Sequence, residues 1–451
     1  MTAVKETPGV FLKHFARHEE KLGRNGRNDG WLHDLRKNAI ERFAELGFPT
    51  TRLEDWKYTN VSPIAQIPFQ AAEFRWDGLT DDRLSELPLA HSAFGECCSR
   101  IVFVNGHYSP QLSSSDIPDR IIVESLASAV KQNVPRIKEH LTRSAAYQQQ
   151  AFVALNTAFL EDGAYVEIPN GVRADTPIYI LFVSTADEAI SSHPRSLIIV
   201  GENSQASIVQ DYLALGDGSY FTNAVTEITL GENSRIEHYS LQDEKEKAFH
   251  VSTISVDQAR SSSLTAHSVS LGGSLVRNDV NVALNGEGAE CTLNGLYIAD
   301  GSNHVDNHTV IDHVQPHCTS RELYKGILDD QSSAVFNGTI VVRKDAQKTD
   351  ARQSNKNLVL SEGATINSKP QLEINADDVK CAHGTSIGHL DDDSVYYLRS
   401  RGIGLAEART VLTYGFANDV LNRMKVDAVR VRLECALLAR LSGGHAPMEE
   451  R

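Results

Sequence analysis

The chain has 451 residues, 41% of them apolar, which is enough to bury a sizeable core spread over two or three domains. Its formal net charge of -15 argues against a phosphate-backbone partner, so no nucleic acid is expected. No apolar run approaches the roughly 18 residues of a membrane span, and Met1 to Glu6 has no basic flank leading into an apolar core, so no membrane contact and a cytoplasmic location are expected.

From Trp31 the apolar residues Trp31, Leu32, Leu35, Ala39, Ile40, Phe43 and Leu46 recur at spacings of three and four, which predicts a helix ended by Gly47 and Pro49. The following stretch, Pro49 to Val61, packs Trp56 and Tyr58 between charges and reads as a loop whose aromatics cover the helices. Residues 80 to 150 mix short strands, such as Arg100 to Val104, with an amphipathic helical stretch from about Leu126 to Leu141.

At Gly163 the texture changes, and almost no helical periodicity appears until about Ile387. Ile198-Ile199-Val200-Gly201-Glu202-Asn203-Ser204 is echoed thirty positions on by Ile228-Thr229-Leu230-Gly231-Glu232-Asn233-Ser234, with looser echoes at Leu284 to Ala289 and Leu358 to Ala364. Each turn uses Gly, Asn or Ser, and the flanking β-branched residues alternate with polar ones. Turn-centred repeats over more than 200 residues predict a mainly β chain whose core is a parallel β-helix, with an all-β sandwich or barrel pair as the alternative.

Within that region His304, His308, His313, His317 and Cys318 invite a metal reading. An extended backbone puts His304 and His308 on one face and His313 and His317 on the other, spread over about 13 Å, so polar side chains stacked on a solenoid face are the favoured reading. Six cysteines, at 97, 98, 291, 318, 381 and 435, form no C-x-x-C pair, and reduced thiols fit that spacing better than disulfides. No G-x-x-x-x-G-K-[ST] loop is present, so nucleotide binding by this chain is unsupported.

Near the end of the β region, Cys381 and His383 stand at i and i+2, an arrangement that projects both from one face of a strand and gives half a metal site. Beyond it two helical runs follow. The first carries Glu407, Ala408, Val411, Leu412, Gly415, Phe416, Val420 and Met424 on one face; the second runs from Val426 to Leu441, ending before Gly443-Gly444.

Three stretches in order, Arg52-Leu53-Glu54-Asp55-Trp56-Lys57-Tyr58-Thr59, then Leu155-Asn156-Thr157-Ala158-Phe159 with Asp162 to Pro169, then Lys380-Cys381-Ala382-His383-Gly384 with Tyr396 to Ile403, make the chain resemble the SufB/SufD family of iron–sulfur cluster assembly proteins. SufB-like members carry a cysteine-rich segment near the N terminus, and its absence here points to the SufD side. The resemblance implies an N-terminal α-rich domain (1–150), a right-handed parallel β-helix core (151–390) and a C-terminal helical domain (391–451). It further implies a non-catalytic scaffold that pairs with a SufB-like subunit and holds an ABC-type ATPase, SufC, through its C-terminal helices, where Leu405, Ala408, Leu412 and Phe416 are the expected contacts. His383, and less firmly Cys381, would bind a nascent iron–sulfur cluster or iron transiently at the interface with the SufB-like subunit. A protonated His383 would also lower the thiol pKa of Cys381. Whether the isolated chain forms a homodimer is left open. The alternative from the residues alone is a β-helix enzyme acting on polysaccharide, suggested by the even spacing of Asp300, Asp306 and Asp312.

Overall fold

A computed structural model describes residues 9–24, 30–72, 99–114, 120–185 and 188–441. Cys97, Cys98, Gly443 and Gly444 lie outside them. The N-terminal third holds helices α1 (Gly9–Arg24), α2 (Gly30–Leu46), α3 (Ser62–Gln66), α4 (Leu126–Lys131), α5 (Pro135–His140) and α6 (Ala151–Ala158). The predicted helix at Trp31 is α2, and Gly47 ends it with φ +67°. The helical stretch expected from Leu126 to Leu141 is two helices, because Asn133 takes a left-handed conformation and Pro135 then starts α5 as a new first-turn residue.

Short strands β1 (Gln70–Ala71), β2 (Ser99–Val104), β3 (His107–Tyr108) and β4 (Ile122–Ser125) precede the solenoid. The solenoid strands are β5 (Ala164–Ile168), β6 (Ile178–Ser184), β7 (Ile190–Ser192), β8 (Arg195–Val200), β9 (Gln205–Ala214), β10 (Tyr220–Leu230), β11 (Arg235–Asp243) and β12 (Ala248–Gln258). They continue as β13 (Ser263–Ser270), β14 (Leu275–Leu284), β15 (Glu290–Ala299), β16 (His304–His313), β17 (Thr319–Leu328), β18 (Ser333–Val342), β19 (Asp350–Val359), β20 (Thr365–Ile374) and β21 (Lys380–Gly388). From β8 onward successive strands alternate between two facing sheets. One runs β20-β18-β16-β14-β12-β10-β8-β5-β4 and the other β21-β19-β17-β15-β13-β11-β9-β6-β2-β3. This is a parallel β-solenoid of about eight turns.

The echoed sequences stack as coils, with Ile198 opposite Ile228 and Ala206 opposite Ile236. One corner of successive coils is a column of left-handed residues: Gly171, Asn203, Asn233, Ser261, Gly288, His317 and Lys348 all have φ between +55° and +70°. Each donates its N–H to the next coil, as Asn203 does to the Glu232 carbonyl at 2.8 Å and Asn233 to the Arg260 carbonyl at 3.0 Å. The corner residues thereby satisfy backbone groups that would otherwise be left unpaired at each bend.

In a parallel, in-register ladder, paired residues point to the same face, so alternate positions build continuous columns. Ile178, Ile208, Ile236, Leu264, Cys291, Leu293, Val305, Ile311, Tyr324 and Phe336 fill the lumen. The outer faces are covered separately. The first sheet carries the N-terminal helices, with Phe152, Phe221, Phe249 and Val251 in one cluster. The second carries α8 (Leu405–Leu421) and α9 (Asp427–Leu441), whose Ala417, Val420, Leu421, Val429, Leu433 and Leu437 pack on Val209, Leu241, Val269 and Leu296. Between β21 and α8 lies α7 (Asp392–Ser400), started by Asp391, whose carboxylate accepts from the Ser394 N–H at 3.0 Å. No helix among the described residues is long and apolar enough to cross a membrane.

Candidate functional site

The three stretches singled out in the sequence fall in three different places. Asn156, on α6, donates to the carbonyls of Pro194 and Asn223 and accepts from Arg195. Asp162 accepts from the Ser125 hydroxyl and the Ala127 and Gly163 amides, and burial pushes its carboxyl upward. A Cβ on Gly163 would meet the Arg195 carbonyl oxygen at 1.9 Å, so only glycine fits there. Arg195 pairs with Glu227, which also takes the amides of Thr142, Ser144 and Ala145, and both side chains are fully buried. This stretch is the structural knot that closes the first coils.

The second stretch is a strap. Trp56 stacks on the Arg277 guanidinium at 4.2 Å rather than covering the helices alone, although it also meets Phe152 at 5.4 Å. Arg277 donates to the Asp55 carbonyl at 2.8 Å and to Asp306 at 2.5 Å, and the Thr59 hydroxyl bonds both Asp306 and His304. Arg277 therefore holds the Asp306 carboxyl far below its ordinary range despite burial, with His308 adding to the effect. His304 on the outer face thus bonds the strap, His308 pairs with Asp306 at 3.1 Å beside it, His313 points into the lumen and bonds Ser320, and His317 is a corner residue. The polar solenoid face expected for this segment is what the structure contains. Asp300, Asp306 and Asp312 do not converge, since Arg440, Arg277 and Arg343 engage them one by one.

The third stretch ends the solenoid. β20 and β21 are the last strands of their sheets and have no further neighbour among the described residues. Along β21, Cys381 pairs with Ala351 and His383 with Gln353, while Gln353 pairs in turn with Glu322. Gln353 is lumenal, since a Cβ on Gly338 across the lumen would strike its amide, so His383 shares the lumenal face. Cys381 packs by Leu372, Ala376 and Val379 beside Ala351. Burial among apolar neighbours pushes its thiol up, with the Asp350 carboxylate adding to the effect. His383 is exposed at the mouth and has no hydrogen-bond or ion-pair partner among the described residues. Beside it Thr385 reaches Ser368 on the opposite sheet at 2.8 Å, and Ser368 donates to Asn355 at 2.7 Å.

No group of three His, Cys, Asp or Glu side chains among the described residues gathers with metal-binding geometry. Cys381 and His383 supply at most two ligands, and a four-coordinate iron needs more from outside the chain. Around the mouth Ile374, Ile387, Tyr396 and Tyr397 are exposed, Ile387 by 54% and Tyr396 by 75%.

The C-terminal helices divide the expected contact residues. Leu405 is exposed and Leu412 half-buried, but Ala408 is buried within the chain. Phe416 lies over Lys325, whose ammonium sits 4.5 Å from the ring, donates to the Phe416 carbonyl and pairs with Asp419. Val411, placed on the inner face by the sequence period, is half exposed. Thr413, Ala417 and Leu421 are buried instead. Sequence reasoning passed over Glu322 and Gln353, which form the lumenal column beneath His383. Gln353 Nε2 donates to Glu322 Oε2 at 2.6 Å, and burial raises the Glu322 carboxyl to about 7, partly offset by hydrogen bonding from Thr309 and Gln353.

The profile described as the SUF system FeS cluster assembly SufBD core domain matches residues 182–416. The SufBD protein N-terminal region matches residues 7–83 and 93–180. An iron–sulfur cluster assembly SufBD family protein of Synechocystis is 34% identical over 426 residues, covering 92% of each chain. The protein named iron–sulfur cluster assembly protein SufD in Escherichia coli is 29% identical over 408 residues, 90% of this chain and 92% of that one. Its namesake in Bacillus subtilis is 24% identical over 438 residues, 94% and 95% of the two chains.

Proposed function

Because the chain belongs to the SufBD family of iron–sulfur cluster assembly proteins, we propose that it is a non-catalytic scaffold subunit that pairs with a SufB-like subunit in the cytosol and shares with it the site where a nascent cluster, its cargo, is held. The main support is the solenoid's open mouth, where His383 and Cys381 stand on the lumenal face of the last strand, and the edges of β20 and β21, which carry exposed Ile374 and Ile387, are uncovered among the described residues. Strand edges of about ten residues are avoided in chains that stay alone, because they template pairing with another chain. A second subunit laid across them removes that edge, covers Ile374 and Ile387 and brings the missing ligands to His383.

In this reading His383 binds iron as a neutral imidazole. Cys381 is the weaker ligand, since its raised pKa means that a proton must leave before the sulfur coordinates. An ABC-type ATPase of the SufC kind docks on residues 404 to 441, through exposed Leu405, Val411, Val431 and Leu438 and half-buried Leu412, while Ala408 and Phe416 hold the helices to the solenoid. Arg432 joins those helices to the core through a buried pair with Asp211, giving motion of the ATPase a stiff route to the β-sheet.

The test is co-expression of His383→Ala with the SufB-like and SufC-like partners, followed by iron and sulfide analysis of the purified complex. Cluster content is expected to fall by about tenfold or more. Wild-type loading would remove His383 from the site.

A further inference from the structure

We propose that Gln353, held by Glu322, positions His383 by accepting a ring N–H, so that the other imidazole nitrogen keeps its lone pair for the incoming cargo. This rests on the reading of His383 given above and adds to it two residues from earlier coils.

The register sets the column. Glu322 on β17, Gln353 on β19 and His383 on β21 are consecutive Cα partners, each rung about 4.8 Å from the next. Gln353 is 3% exposed and Glu322 4% exposed, so both lie beneath the mouth while His383 stands at it. Glu322 Oε2 accepts from Gln353 Nε2 at 2.6 Å, which sets the amide with its NH2 inward. The Gln353 carbonyl oxygen is then left as an acceptor, and it has no partner among the described residues. A buried amide oxygen without a donor is unfavourable, and a ring N–H from the next rung relieves it.

The amide is also confined. A Cβ on Gly338, facing it from the other sheet, would meet Gln353 Nε2 at 2.2 Å and its Cδ at 2.9 Å. Glycine at 338 is what allows the side chain to lie across the lumen. Metal-ligating histidines commonly donate their second ring N–H to a carbonyl or carboxylate that fixes the tautomer and ring orientation, and Gln353 Oε1 is the acceptor that this column offers.

The test reads the tautomer of His383 in the full chain, by two-bond proton–nitrogen correlation with labelled histidine, at a pH where the ring is neutral. His383→Ala assigns the signal. Wild type is expected to show one tautomer. Gln353→Leu and, independently, Gly338→Ala, which displaces the amide without altering either partner, are expected to give the averaged signal of a free imidazole. Glu322→Leu should do the same, whereas Glu322→Gln, which still offers an acceptor to Gln353 Nε2, should keep the single tautomer. In the complex with the partner subunits, Gln353→Leu should weaken iron binding about tenfold. An averaged signal in the wild type, or an unchanged single tautomer in both Gln353→Leu and Gly338→Ala, would overturn the inference, even if His383→Ala abolished cluster loading. A tautomer that depends on Gln353 would uphold the positioning role even if His383→Ala loaded cluster normally, in which case the shared-site reading alone fails.

Discussion

The two ends of the solenoid are built on opposite rules. At the first coils, helices and short strands cover everything: Arg195 and Glu227 are paired in the dark, Asp162 gathers four hydrogen bonds, and Gly163 lets backbone meet backbone. At the last coils, β20 and β21 end in open edges, every residue of β21 except Cys381 is exposed, and the lumen turns from Ile, Val and Leu to Gln353, Asn355, Ser368 and Thr385. Buried polar pairing is concentrated at one end and the proposed site lies at the other. A chain that invests a buried ion pair in one cap and leaves the other bare has a stable fold without a complete site.

The sharpest break of that contrast is Arg195→Ala. It leaves Glu227 buried without its counter-charge, and a loss of about 3–5 kcal/mol is expected in denaturant unfolding. A loss under about 1 kcal/mol would mean that the closed end is not where stability resides. Next comes the polar lumen. Burial raises the Glu322 carboxyl to about 7 in the folded chain, against 4.5 for an ordinary glutamate. Between those values the folded chain binds a proton that the unfolded chain lacks, so stability falls as pH rises through this window and the penalty is complete above it. Glu322→Gln removes the penalty, and relative to wild type it should gain roughly 3 kcal/mol between pH 4.5 and pH 8. Parallel pH profiles for the two proteins would contradict this. The smallest effect on stability belongs to the open rim. Replacing Ile374 and Ile387 with lysine should change unfolding by less than about 0.5 kcal/mol each, yet abolish co-purification with a SufB-like subunit.

Much of the solenoid was legible because some corners spell themselves out. Gly201 to Ser204 and Gly231 to Ser234 repeat letter for letter around left-handed Asn203 and Asn233. The same corner is occupied by His317 and Lys348 two and three coils after Ser261, so the echo fades although the backbone does not change. His317 consequently looked like a possible ligand. Cys381 and His383 could be read together because they stand two apart in one strand. Gln353 and Glu322 were not, because their relation to His383 is a step of thirty or thirty-one residues, visible only once the coil length is known. The strap was misread for a similar reason: Trp56 finds Arg277 more than 200 positions away. On α8, the helical period alone ranked Val411 with the core, but the second sheet meets the face that carries Thr413, Ala417 and Leu421.

Backbone amide exchange across β20 and β21 tests the central claim most directly, measured on the chain alone and on its complex with a SufB-like subunit. The account predicts that residues 365 to 388 exchange quickly in the lone chain and become strongly protected in the complex, with little change in β8 to β12. Equal exchange of these two strands in a lone monomer and in the complex would mean that the partner does not cover the mouth, and the shared site would be lost with it.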